Sequence, residues 1–148
     1  MSLQERIAQD LKESFKAGDQ FRTGVLRLLT SIIQNKTIEL RAQERELDDE
    51  SLMQLLRTEA KKRKESSLVY ERGGRTDLAQ NELKELVVLE AYLPKQLSVD
   101  EITIRVRALL EREHFSDFGS AMKVAMEELR GIADAKLVSE IVKTCLGQ

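Results

Sequence analysis

The stretch Tyr92-Leu93-Pro94-Lys95-Gln96-Leu97-Ser98 holds the only proline in a chain of 148 residues. Proline has no backbone N–H and pushes the residue before it out of the helical region, so a helix arriving at Leu93 ends there. Ser98-Val99-Asp100-Glu101 then has the spacing of a capping box. In that motif a serine hydroxyl, and a glutamate three positions later, satisfy the free N–H groups at the start of a helix. One helix stops and another begins within a few residues. Pro94 and Ser98 therefore mark a hinge between an N-terminal part, residues 1–93, and a C-terminal part, residues 94–148.

Backward from the hinge, Leu89, Val87, Leu86 and Leu83 carry a helix to about Thr76. Gly73-Gly74, the strongest breaker in the sequence, separates it from a helix with Leu52, Leu55, Leu56 and Ala60 that ends near Tyr70. Asp48 is placed to cap that helix, with Leu47 and Leu52 stapled around it. A long helix precedes it, with Val25, Leu28, Leu29, Ile32 and Ile33 at i, i+3, i+4, i+7 and i+8, and with Ile38 and Leu40 adding apolar content. Ser2-x-x-Glu5 opens the first helix, Leu3, Ile7, Leu11 and Phe15 recur along it, and Gly18-Asp19 ends it and caps the next.

Forward from the hinge, Ile102, Val106, Leu109 and Leu110 mark the helix capped by Ser98. His114 to Gly119 form a loop in which Asp117 is a cap. Met122, Val124, Ala125, Met126 and Leu129 make a further helix that Gly131 ends, and Asp134 caps a last one with Leu137, Val138, Ile141, Val142 and Cys145. No segment alternates as a strand does. The expectation is an all-α protein, with about four helices before the hinge and three after it.

Composition narrows the function classes. Charged residues make up 34% and apolar ones 41% of the chain, the balance of helices with one wet face. Net charge is −2, and it is evenly divided. Residues 1–93 carry 16 Lys+Arg against 17 Asp+Glu, and residues 94–148 carry 8 against 9. Neither part is a basic module that would be drawn onto DNA or an anionic membrane. One cysteine and one histidine exclude an internal disulfide and a Cys/His zinc site within one chain. The charged, amphipathic start is unlike a signal peptide, and no apolar run nears the roughly 18 residues of a membrane span. A cytoplasmic protein without cofactor or metal is expected.

Several pieces of sequence resemble the YqeY family, small bacterial proteins related to the tail of the GatB subunit of the tRNA-dependent amidotransferase. They are residues 27–35 (Arg-Leu-Leu-Thr-Ser-Ile-Ile-Gln-Asn), 62–66 (Lys-Arg-Lys-Glu-Ser), 74–78 (Gly-Arg-Thr-Asp-Leu), Glu82-Leu83, and the hinge stretch itself. Residues 117–122 (Asp-Phe-Gly-Ser-Ala-Met) and 131–138 (Gly-Ile-Ala-Asp-Ala-Lys-Leu-Val) complete the set. The resemblance covers nearly the whole chain. It implies a larger helical domain followed by a small three-helix, tail-like domain. It implies a binding role toward tRNA, or toward a tRNA-charging or amidotransferase complex, with no catalysis of the chain's own. The ligase label that accompanies the family, carbon–nitrogen bond formation with glutamine as amide donor, belongs to a complex whose kinase-like body and amidase partner the free-standing family lacks. At Ser120, Ile132 and Ala135 the chain departs from the family pattern, which has lysine, arginine and glycine there.

Two groups of cations are candidates for phosphate contact. Lys123 and Arg130 lie on one stripe of the helix after the loop, together with Glu127, and Lys136 opens the last helix. The denser run Lys61, Lys62, Arg63 and Lys64 covers a full helical turn, so its members cannot all face one backbone. The alternative for both groups is a solvated helix face, offset in the second by Glu59 and Glu65. His114 is alone in its loop with only Asp117 close in sequence, and no nucleophile motif accompanies it. Cys145 falls on an apolar stripe, as a small buried hydrophobe would. Besides tRNA recognition, the pattern leaves open an accessory of the ligase complex or a protein–protein adaptor without RNA contact.

Overall fold

The computed structural model describes residues 1–147. These form seven helices and no strand: α1 (Leu3–Ala17), α2 (Gln20–Ala42), α3 (Asp49–Arg72), α4 (Thr76–Glu90), α5 (Val99–Arg112), α6 (Phe118–Leu129) and α7 (Ala135–Cys145). The chain divides into two compact units, one running from Met1 to Leu93 and the other beginning at Pro94.

Side chains at the helix starts explain where most of the helices begin. Ser2 and Glu5 form a complete capping box on α1. Asp19, Asp48, Asp117 and Asp134 accept backbone N–H groups at the starts of α2, α3, α6 and α7. Ser98 Oγ accepts from the Glu101 N–H at 3.2 Å, while the return bond from Glu101 that would close the box is not made. Helix α4 has no side-chain cap, and Arg75 instead pairs with Asp77 at 3.3 Å. The end of α2 is a Schellman turn, in which the Arg45 N–H reaches the Leu40 carbonyl at 2.8 Å and the Glu44 N–H reaches Arg41. Glu44, at φ +57°, is the one described non-glycine residue in the left-handed region.

In the first unit α1 packs on α2 and α3 packs on α4, so two helical hairpins enclose one core. Leu3 and Ile7 of α1, Leu26, Leu29 and Ile33 of α2, Leu52 and Leu56 of α3, and Leu89 of α4 fill it, and Tyr92 closes its end. Phe15 departs from the sequence expectation, being 65% exposed, while its neighbour Ser14 is buried. Four-residue steps outrun the helical turn by roughly 40° each, so a stripe at 3, 7, 11 and 15 has swung roughly 120° by its last member. Phe15 is instead covered by the Arg27 guanidinium, 5.4 Å from its ring centroid. Leu28, Ile38, Leu83 and Val87 are also exposed rather than internal. The contact face of α4 is Ala79, Leu86 and Leu89, and Leu83 and Val87 fall beside it.

The chain leaves the first unit through a polar latch. The buried Tyr92 hydroxyl donates to Asp10 Oδ2, which also faces Arg22 at 3.6 Å. Arg6 lies 4.9 Å above the Tyr92 ring and donates to the Ala91 carbonyl. In the second unit Ile102, Val106 and Leu109 of α5 meet Ala121, Ala125 and Leu129 of α6 and Val138 and Val142 of α7. The segment before α5 is held to this unit. The Leu97 N–H donates to the Ile132 carbonyl at 2.8 Å and the Gln96 side-chain amide to the Gly131 carbonyl at 3.0 Å.

Candidate functional site

Helix α3 sets the environment of the basic run. Leu52, Leu56, Glu59 and Arg63 follow one another at i, i+4, i+7 and i+11, so two charged residues sit on the apolar stripe. Glu59 is buried, its side chain 7% exposed. Arg63 is 21% exposed and bonds to Glu59 at 3.2 Å, to Glu85 at 3.3 Å and to Glu82 at 3.5 Å. Lys62 reaches Glu59 from the solvent side at 3.2 Å. These three carboxylates hold the Arg63 guanidinium charged against its burial, which by itself disfavours the charge. Arg63 is thus committed to a knot that ties α3 to α4, and its donors are taken up by carboxylates. Lys61 and Lys64 are exposed and make no ion pair among the described residues. The run is therefore split, with Arg63 drawn into the unit, Lys62 tied to Glu59 from solvent, and Lys61 and Lys64 in solvent. Glu65, expected to offset the run, forms no ion pair among the described residues. The signal that sequence reasoning passed over is the place of Glu59 and Arg63 on the stripe of Leu52 and Leu56.

Above the knot a groove opens between α2 and the α3–α4 hairpin. Val25, Leu28, Leu29 and Ile32 form one wall, Glu59 and Arg63 the floor, and Glu85 and Leu89 the other wall. Its volume is about 290 Å³, counted out to open solvent. Residues 27–35, 62–66 and Glu82, pieces that carry the resemblance, converge around it.

In the second unit Lys123, Arg130 and Lys136 are all exposed. None of them pairs with a carboxylate among the described residues. Lys123 lies on α6, and Arg130 is the residue that follows its end. The tight turn through Gly131, at φ +86°, leads directly to Lys136 in the first turn of α7. Arg112 pairs with Glu128 and Lys143 lies over the Phe118 ring, while Lys95, Arg105 and Arg107 are exposed and, like the three candidates, pair with no carboxylate among the described residues.

The remaining candidates have structural partners. Asp117 accepts the Ser120 N–H at 2.7 Å, and that bond holds its carboxyl below the usual carboxylate value. It serves α6 and does not orient the exposed His114. Cys145 is half-buried against the core of its unit. Among the described residues no group of three or more His, Cys, Asp or Glu side chains could hold a metal, and no helix is long and apolar enough to cross a membrane.

Comparison with known proteins gives relatives named "Altered inheritance of mitochondria protein 41, mitochondrial". That of Eremothecium gossypii is 31% identical over 106 residues, covering 70% of this chain and 57% of its own length. That of Kluyveromyces lactis is 32% identical over 107 residues, covering 70% and 56%. That of Lachancea thermotolerans is 30% identical over 125 residues, covering 83% and 66%. The chain thus spans less than two thirds of the length of these relatives. They are yeast proteins named as mitochondrial, and they overturn two expectations, that of a bacterial protein and that of a cytoplasmic setting. The family model described as Yqey-like protein matches residues 4–146, and the chain belongs to the YqeY family.

Proposed function

We propose that this YqeY-family chain is a docking protein without catalysis of its own, and that it binds tRNA, or an enzyme that handles tRNA, through the tail-like unit that begins at Pro94. The observation that carries this reading is the set of Lys123, Arg130 and Lys136, exposed and without carboxylate partners among the described residues. The names of the relatives point to a mitochondrial setting for it.

Three phosphate contacts predict a shallow salt dependence. Each neutralised phosphate contributes a slope of about −0.7 to −0.9 in log K against log salt, so three give about −2 to −3, and affinity falls roughly 20- to 40-fold between 50 and 200 mM salt. Titration of the purified chain with total tRNA at several salt concentrations tests this. Replacing Lys123, Arg130 and Lys136 together by glutamine should weaken binding at low salt and flatten the slope. No binding by the unaltered chain at low salt, or unchanged affinity in the triple variant, refutes the assignment to these residues.

A further inference from the structure

We propose that the groove between α2 and the α3–α4 hairpin is a docking site for an amphipathic helix of a partner protein, one that carries aliphatic anchors on one face and a lysine or arginine beside them. The site belongs to the first unit and stands or falls independently of tRNA binding by the second.

Size comes first. Pockets that enclose small ligands run from roughly 300 to 1,000 Å³. The volume of this groove, about 290 Å³, includes open solvent, and the enclosed part is far less than that, so it offers a shallow apolar surface to pack against and not an enclosed ligand site. Its apolar wall extends past the groove. Phe21, Val25, Leu28 and Ile32 lie at i, i+4, i+7 and i+11 on α2, with Phe21 and Leu28 exposed and Leu28 at 51%. Eleven residues rise roughly 16 Å, the length of three helical turns. The described residues offer no strand edge to which a peptide could add, so a helix laid between helical walls is the available mode.

Charge selects the kind of helix. Glu59, Glu82 and Glu85 bring three negative charges to one guanidinium, and Lys62 offsets only one more from the solvent side. The excess is carboxylate, and Glu85 lines the groove with its side chain 22% exposed. A lysine or arginine next to an aliphatic anchor meets Glu85 there.

The test uses the full chain and three synthetic helical peptides of about 18 residues, labelled with fluorescein. The first has leucines at i, i+4, i+7 and i+11 flanked by lysines. The second replaces the lysines by glutamates, and the third keeps the lysines and replaces the leucines by serine. Fluorescence anisotropy should show the first binding at least ten-fold tighter than either control. Leu28→Asp, a change at an exposed position, should cost a further ten-fold. Equal binding of the lysine and glutamate peptides, or equal binding of the serine control, overturns the proposal without any variant of the protein. Binding indifferent to Leu28→Asp overturns the location. Sedimentation velocity supplies the last arm: a dimer that Leu28→Asp dissolves would make a second copy the occupant and overturn the partner helix.

Discussion

Removing the guanidinium at the centre of the Arg63 knot should expose its worth. In Arg63→Met the aliphatic stem is largely kept, and Glu59, Glu82 and Glu85 are left facing one another with only Lys62 nearby. Truncating one partner of a fully buried ion pair costs about 3–5 kcal/mol, most of it the penalty of a stranded charge. Here solvent reaches Glu82 and Glu85, whose side chains are 14% and 22% exposed, so the expected loss is smaller, about 2–3 kcal/mol. Exchanging the most buried carboxylate as well, in Arg63→Met with Glu59→Leu, removes the stranded charge and extends the apolar stripe of α3. Stability should return to within about 1 kcal/mol of the parent, because replacing a buried pair by apolar side chains is close to neutral. The assay is urea unfolding followed by tyrosine emission. The chain has two tyrosines, Tyr70 and Tyr92, and no tryptophan, and both tyrosines lie in the first unit, so the signal reports that unit alone. A loss below about 0.5 kcal/mol in the single variant would mean the knot acts as an ordinary surface ion pair. A double variant less stable than the single one would refute the stranded-charge argument.

Tyr92→Phe should cost about 1.5 kcal/mol at neutral pH, the value of a hydrogen bond to a carboxylate. Burial, and then the bond to Asp10, push the Tyr92 phenol up to about 12 from 10.0. Its contribution is therefore complete below pH 10 and fades as pH rises from 10 toward 12. The gap between parent and variant should narrow over that window in urea titrations. Glu44→Gly should stabilise the first unit by roughly 0.5–1 kcal/mol, because the left-handed conformation strains glutamate and not glycine, and a higher urea midpoint is the check. Ser98→Ala removes the cap of α5 and should cost about 1 kcal/mol, read from far-UV circular dichroism. The Asp117 carboxyl is held below its usual 3.8 by the Ser120 N–H, so its capping contribution is present above that pH and lost as pH falls through the depressed value. Asp117→Ala should flatten the acid limb of the stability curve.

The helices were legible because their punctuation is chemical. Proline at 94, the Gly73-Gly74 pair, Gly18 and Gly131, and six capping side chains each fix a boundary by a local hydrogen bond or its absence. Which apolar residues face inward was less legible, because periodicity gives a stripe but not its drift. Phe15 swung out and Ser14 took its buried place. Leu28 sits on a stripe that looks internal by spacing, yet it stays half in solvent at the rim of the groove between α2 and the α3–α4 hairpin. The basic run was misleading for a related reason. Counting charges along residues 61–64 says nothing of Glu82 and Glu85, which come from the next helix and meet Arg63 only after the hairpin closes. The cations at 123, 130 and 136 were visible as charges, while their lack of carboxylate partners depends on how α6 and α7 are placed.

The bonds on either side of Pro94 also dictate where this chain can be cut. Tyr92 belongs to the first unit through Asp10 and Arg6, and Leu93 packs on the same core. Gln96 and Leu97 belong to the second through the carbonyls of Gly131 and Ile132. Fragments meant to fold alone must therefore part at Pro94 or Lys95. A first fragment ended with its last helix at Glu90 would leave Asp10 without its phenol, and a second one begun at the Ser98 cap would strip two bonds from the turn between α6 and α7. The natural ends of the helices are the wrong places to divide the gene, and the two residues between the latches are the right ones.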